Sequence, residues 1–206
     1  MKTRIIATAV ALLAFTFGQA QQEDMAKSEI NSAKGITFSE GDIFVEGYIK
    51  FGTTGSDNNI YSITPKVGYF LSNKFAVGAD LDFGGSKAGD DKVNSFGFGG
   101  FGRYYFLELD KKRFKAYGEA GLGYNHTREK GPTYGDETTN GIKANVTIGL
   151  NYFLTKNFAV SFVLADILSY NNSSIEDGAT TDSFEMNINL FNNIFTEPQL
   201  GLLYKF

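Results

Sequence analysis

The sequence predicts an all-β fold, specifically an eight-stranded antiparallel up-and-down transmembrane β-barrel. From Ile43 onward, apolar and polar residues alternate with the period of two that is typical of β-strands. Short connections take turns with long polar ones, and four long and three short connections give eight strands. One face of the predicted strands is uniformly apolar, as expected where a barrel wall meets lipid.

The composition is compatible with such a barrel and excludes several other classes. The chain has 206 residues, which is enough for one domain, and it contains 20 Phe, 11 Tyr and 24 Gly but no Cys. The absence of Cys excludes a disulfide framework and thiolate chemistry. The net charge of −4 argues against a nucleic-acid partner, which would require a basic face. After residue 20, no apolar run approaches the roughly 18 residues that a membrane-spanning helix needs.

The first 42 residues are predicted to lie outside the barrel domain. Residues 1–20 have the layout of a secretory signal peptide, with basic residues, an apolar stretch and small residues before a cleavage site near Ala20. Residues 21–42 are polar and lack sustained periodicity, so we expect a mobile polar leader. Residues 43–206 form the predicted barrel domain.

The predicted strands follow one another through this domain. Alternation is clear in the segments VEGYIKF, YSITPKVGYFL, VGADLDF, FKAYGEAGLGYNHT and IKANVTIGLNYFL. The short connections are SNK, ELDKKR and TKN, and the long ones are 52–59, 84–94, 128–139 and roughly 170–182. YFLSNKFAV at 69–77 recurs as YFLTKNFAV at 152–160, which indicates either two hairpin turns at the same membrane face or an ancient duplication.

The polar face of these strands carries charges of both signs. Because the interior of an eight-stranded barrel is just wide enough for side chains, we expect them to pair in a lumen charge network. Asp80 and Asp82 could instead act as a catalytic carboxylate pair, but interior basic residues make the network the better interpretation. Its predicted members are Glu46, Lys50, Lys66, Asp80, Asp82, Arg103, Lys115, Glu119 and Lys143.

The GYFLSNKFAVG hairpin, the FGRYYF strand and the terminal GLLYKF give the chain a family resemblance. Together with the signal peptide they resemble the small bacterial outer-membrane β-barrel proteins of the OmpA/OmpX type, over roughly 43–206. The resemblance implies integral localisation in the outer membrane, with outer-membrane lipids as partners. It also implies that the assembly machinery recognises the last strand, through Leu200, Leu202, Tyr204 and Phe206. Residues 183–195 make the final stretch longer than one strand, and we interpret them as an extension of the last hairpin rather than a ninth strand.

Signals for catalysis, cofactors and metals are weak. Gly97, Gly99 and Gly102 satisfy G-x-G-x-x-G, but the segment that follows continues the strand period instead of beginning a helix, so no cofactor is expected. His126 is the only histidine, and the alternation of its strand places it on the lipid-facing side. We therefore expect it to be a polar residue at the membrane interface rather than a general base. Acidic residues at 90–91 and 136–137 are expected to be solvated, and no metal site is assigned.

Three function classes therefore remain. The leading one is a non-enzymatic surface protein, in which a closed barrel displays four extracellular loops to an unidentified ligand. The second is a narrow, porin-like pore. The third is a membrane-embedded lipid hydrolase or acyltransferase, which would depend on His126.

Overall fold

A computed structural model describes most of the chain, including all or part of every predicted barrel strand. The described residues are 23–54, 58–132, 135–175, 178, 180–186 and 199–206. The predicted signal peptide lies outside them. Within these ranges, no helix is long and apolar enough to cross a membrane.

The described chain forms one helix and nine strands that close into a barrel of eight strand positions. All pairings are antiparallel, and each strand lies beside its sequence neighbour from β1 to β7. The barrel closes between the last strand and the first, where Phe44 to Ile49 pair with Lys205 to Leu200. The predicted fold class is confirmed. The elements are α1 (Glu23–Ser32), β1 (Ile43–Thr54), β2 (Asn58–Phe70), β3 (Phe75–Ala88), β4 (Asp91–Leu109), β5 (Phe114–Gly131), β6 (Gly135–Phe153), β7 (Phe158–Ile175), β8 (Thr180–Met186) and β9 (Gln199–Lys205).

Two separate strands share the eighth position of the barrel. β8 pairs with the distal part of β7, from Leu168 to Ser174, whereas β9 pairs with its proximal part, from Phe158 to Val163. Residues 180–186 therefore extend the last hairpin, as predicted for the beginning of 183–195. Residues 187–195 lie outside the described part of the chain.

The predicted long loops are mostly strand. β3 and β4 remain paired up to Ala88 and Asp91, so that only Gly89 and Asp90 form the turn. The β5–β6 hairpin is likewise paired up to Gly131 and Gly135. The predicted long polar connections are shorter than expected, because backbone groups pair equally well outside the membrane, where both faces of a hairpin can be polar. The barrel thus ends in protruding hairpins at one end, the loop end, and in the short turns at the other, the turn end.

The leader is packed against the barrel, and the expectation of a mobile segment was wrong for its described part. Helix α1 precedes residues 33–42, which we call the plug because they fill the turn end of the barrel. Ala33, Ile36 and Phe38 of the plug are buried, at 0%, 8% and 2% exposure. The plug is attached at the backbone by bonds from the Gly35 amide to the Lys111 carbonyl and from the Phe70 amide to the Asp42 carbonyl.

The outer face of the barrel is apolar and exposed. Leu81, Phe98, Leu122 and Ile142 are more than 40% exposed, although each lies in the middle of a strand. Such a surface would be unstable in water, and it is the surface that a transmembrane barrel presents to lipid. Several aromatic side chains near the turn end are exposed on this face, as is typical of a membrane interface, namely Tyr69, Phe75, Tyr104, Phe106 and Tyr204.

Candidate functional site

The lumen of the barrel is the candidate site, and its turn end is an apolar core. The Phe38 ring of the plug stacks on Phe70 with centroids 4.1 Å apart and contacts Tyr105 at 4.7 Å. Phe153 meets the same ring edge-on at 5.8 Å. This cluster extends to Phe44 and to other inward residues, including Phe101, Tyr117 and Leu203. The lower lumen therefore packs like the core of a soluble protein.

A layer of charges lies directly above this core. Arg103 is completely buried and forms 2.6 Å ion pairs with both Glu46 and Glu119. Lys66 lies 2.5 Å from the second oxygen of Glu119. The Arg103 guanidinium also lies over the Tyr117 ring, 4.0 Å from the ring centroid. We call Glu46, Lys66, Arg103 and Glu119 the charge layer. It holds two cations and two anions, so burial leaves no net charge uncompensated.

Neutral side chains satisfy the remaining polar atoms around this layer. Asn151 donates to Glu46 at 3.2 Å and to Ser161 at 2.6 Å, and it accepts a hydrogen bond from the Tyr105 hydroxyl at 2.8 Å. The hydroxyls of Tyr48 and Tyr117 lie 2.9 Å apart. Among the described residues, every buried side-chain nitrogen or oxygen has a hydrogen-bond partner. The buried polar groups of the described interior therefore satisfy one another.

The lumen widens above the charge layer into a cavity of about 530 Å³. We call this cavity the upper well. Lys66 and Glu119 form part of its floor, and its wall carries Asp80, Asp82 and Lys143 among other residues. Lys50, Asp166 and Asn145 also line it.

Three other predicted lumen charges, Asp82, Lys143 and Lys115, have partners outside the charge layer. Asp82 accepts a 2.6 Å hydrogen bond from the Thr64 hydroxyl. Lys143 lies 4.0 Å from Asp166, and this ion pair is half-exposed. Lys115 is buried near the turn end, where it pairs with Glu108 at 2.5 Å and lies 4.8 Å from the Phe38 ring centroid. Lys50 and Asp80 face the upper well. The predicted residues are therefore divided between the charge layer, the well and the turn-end core.

Sequence reasoning missed two carboxylates that face the lumen, and β-bulges explain both. A register shift between Tyr105 and Leu107 inverts the alternation along β4, so that Glu108 points inward toward Lys115. On β7, the pairing with β6 skips Leu164, and this places Asp166 opposite the inward residue Thr147. Each bulge breaks the period of two, and no turn residue marks its position.

The residues weighed for catalysis lie outside the charge layer. His126 is at the outer rim of β5, where its Nδ1 lies 2.8 Å from the Asn140 side-chain oxygen. Gly97, Gly99 and Gly102 lie in mid-strand on β4, and a Cβ at Gly99 would meet the Asp80 carboxylate at 2.8 Å. In the part of the chain that the structure describes, no three His, Cys, Asp or Glu residues are placed to hold a metal ion.

The C-terminal residues lie with the expected alternation on β9. Leu200, Leu202, Tyr204 and Phe206 are 46–66% exposed on the outer face, whereas Leu203 is buried. Tyr204 and Phe206 contact each other edge-on at 4.9 Å. The inward Lys205 forms a 2.9 Å ion pair with Asp42 of the plug. The last strand is therefore hydrogen-bonded to the first strand along its edge, and its inward-facing Lys205 is paired with the plug.

Comparison with known proteins shows remote similarity only. No family model and no curated protein matches the chain. Three solved structures similar to it are eight-stranded outer-membrane barrels. Neisserial surface protein A is 16% identical, with 82% of this chain and 98% of that one covered and a TM-score of 0.49. The N-terminal β-barrel domain of Pseudomonas aeruginosa OprF is 16% identical, with 82% and 100% covered and a TM-score of 0.48. The Escherichia coli outer membrane protein W is 16% identical, with 82% of this chain and 99% of that one covered and a TM-score of 0.43. The fold assignment rests on the strand pairing of this chain, and residue roles must come from its own geometry.

Proposed function

We propose that this protein is an integral outer-membrane barrel that displays four hairpins at the cell surface and whose lumen is closed by its own side chains. The observation that carries the proposal is the combination of an apolar, exposed outer wall with an interior filled by the plug core and the charge layer. A barrel with a polar channel would serve transport, but here Arg103, Tyr105 and Tyr117 are buried across the lumen. The function is then carried by the protruding hairpins rather than by passage through the barrel.

The orientation follows from the two ends of the barrel. Outer-membrane barrels have short periplasmic turns and longer extracellular connections. The turns at 71–74, 110–113 and 154–157 are short, whereas at the other end the β5–β6 hairpin, with strands of 18 and 19 residues, extends beyond the apolar belt. We therefore place the turn end and the plug in the periplasm, and the loop end outside the cell.

A conductance measurement tests whether the lumen is closed. The mature chain is first refolded into lipid vesicles, and faster migration of the unboiled sample on a denaturing gel shows that the barrel has folded. In planar bilayers this folded protein should give no single-channel current steps. The double variant Phe38→Ser/Arg103→Ser, which removes the centre of both the plug core and the charge layer, should conduct if it inserts. Steady current steps from the unmodified protein would favour the porin-like pore instead.

An epitope insertion tests the orientation and the display of the hairpins. A short epitope between Gly89 and Asp90, at the tip of the β3–β4 hairpin, should be detected by antibody on intact cells. The matched insertion between Lys111 and Lys112, in a turn at the opposite end, should be detected only after the outer membrane is permeabilised. The reverse result would contradict the proposed orientation.

A further inference from the structure

On the outer face of four adjacent strands, β3 to β6, the side chains change from apolar to polar in regular steps toward the loop end. At mid-barrel, Leu81, Phe98, Tyr124 and Ile142 lie side by side in the strand register. One step toward the loop end lies the row Phe83, Phe96, His126 and Asn140. Here the first two rings contact each other and the last two residues are hydrogen-bonded. Aromatic and polar side chains together are typical of the membrane–water interface, so this row marks the outer edge of the hydrocarbon.

Basic residues follow directly above this interfacial row, on the same outward face. Arg128 lies one step above His126, and the next step brings Lys87, Lys92 and Lys130 into direct register on three neighbouring strands. All four side chains are exposed. We call Lys87, Lys92, Arg128 and Lys130 the basic row.

The basic row places like charges close together, and a bound anion would relieve their repulsion. Side chains directly opposite one another on neighbouring strands have their Cβ atoms only about 5 Å apart, and like charges in such positions repel. Asp136 pairs with one end of this row, at 3.2 Å from Arg128 and 3.4 Å from Lys130. Lys92 and Lys87 are two and three strands away from Asp136, which lies on β6, so Asp136 does not compensate their charge.

The height of the basic row matches that of lipid headgroups. A step of two residues advances about 6.6 Å along a strand, or about 5 Å along the membrane normal for a strand tilted by about 40°. Arg128 thus lies about 5 Å, and the lysines about 10 Å, above the interfacial row. Headgroup regions add about 5–7 Å to each side of the hydrocarbon core, and Lys and Arg side chains can bend toward them.

We propose that the basic row is a binding site for the phosphate groups of anionic lipid in the outer leaflet. Charge complementarity and direct continuity with the lipid-facing wall favour a lipid as the ligand over a soluble protein or a nucleic acid. Arg128 donates from Nε and Nη2 to Asp136, which leaves its Nη1 N–H groups to donate to phosphate oxygens, and the three ammonium groups add charge around them. The proposal rests on the proposed outer-membrane location and adds to it the class of lipid that the barrel selects.

Lipid binding by charge-matched variants tests the proposal. The mature chain is refolded in neutral detergent and titrated with diphosphoryl lipid A, and bound lipid is counted by native mass spectrometry. Lys87→Gln/Lys92→Gln/Lys130→Gln should weaken binding by tenfold or more. The control Lys74→Gln/Lys111→Gln/Lys156→Gln removes the same charge at the turn end and should change binding less than twofold. If the triple variant does not fold, Lys92→Gln alone, at the centre of the row, should still weaken binding about threefold.

The remaining outcomes separate this proposal from its alternatives. Equal weakening by both triple variants would mean general attraction between charges and would overturn the site. Competition by inorganic pyrophosphate at concentrations similar to those of lipid A would mean that the row takes free phosphate, and would overturn the assignment to lipid. A folded, heat-modifiable barrel that binds lipid A no better than neutral lipid would remove this inference but leave the proposed function intact. An unmodified chain that fails to insert into lipid at all would contradict the proposed function itself.

Discussion

At the scale of single residues, Arg103 organises the interior of the barrel. Its guanidinium is fully buried, is paired with two carboxylates and lies within 4.0–5.5 Å of the ring centroids of Tyr117, Phe44 and Phe101. A buried ion pair contributes little net stability compared with well-packed apolar residues, but an unpaired buried charge is costly. The layer therefore fixes which side chains meet across the lumen, and its removal should be destabilising mainly through the partners left behind.

Replacing Arg103 should show this asymmetry. Arg103→Met leaves the buried Glu46 carboxylate without a cation, and we expect the free energy of unfolding to fall by about 3–5 kcal/mol. Arg103→Met/Glu46→Gln removes one charge of each sign and retains the pair between Lys66 and Glu119, so most of that loss should be recovered. Urea unfolding in lipid vesicles measures both values. An equal loss in the two variants would mean that packing around the guanidinium, rather than charge, sets its contribution.

At the scale of elements, the sequence predicted strands well where one face meets lipid and poorly elsewhere. The recurring YFLSNKFAV and YFLTKNFAV segments do form equivalent turns, with the Leu71 and Leu154 amides bonded to the Phe75 and Phe158 carbonyls. In each turn a hydroxyl caps the first amide of the next strand, from Ser72 at 3.1 Å and from Thr155 at 3.0 Å. Turn chemistry was therefore readable because it depends on a few neighbouring residues.

The plug could not be predicted in this way. Its two large apolar residues, Ile36 and Phe38, are too few to establish a period, and their contacts are with strands far along the chain. The protruding ends of the strands were missed for a related reason. When both faces of a hairpin lie in water, alternation of polarity is no longer required, and the pattern that identifies a strand disappears.

Truncating the plug side chain should destabilise the barrel. Phe38 is 2% exposed and contacts three rings, so Phe38→Ala should lower the free energy of unfolding by about 3–5 kcal/mol. Ile30→Ala is a suitable control, because Ile30 lies in the same leader but is 46% exposed. The measurement is urea unfolding of the refolded barrel. A change below about 1 kcal/mol for Phe38→Ala would indicate that the plug is not packed in the membrane-embedded protein.

At the scale of the whole molecule, closure of the barrel depends on the C-terminal strand. β9 is hydrogen-bonded to β1 on one side and to β7 on the other, and Lys205 and Asp42 connect it to the plug. An open edge in hydrocarbon would leave several backbone groups unsatisfied, at several kcal/mol each. The outward Leu200, Leu202 and Tyr204 meet lipid, and Phe206 lies at the very end of this row with 66% of its surface exposed.

Deleting Phe206 should therefore separate stability from assembly. The residue contributes one backbone bond, from its amide to the Ile43 carbonyl, and a ring contact with Tyr204, so little burial is lost with it. We expect the deletion variant to refold in lipid vesicles nearly as well as the full chain, but to reach the outer membrane of cells in clearly reduced amount, because we propose that the assembly machinery reads the terminal aromatic residue. Phe206→Tyr is the matched control, since it keeps an aromatic ring at the end of the strand and should restore insertion. If refolding in vitro and insertion in cells fall by the same factor, the terminal ring contributes to stability and does not act as an assembly signal.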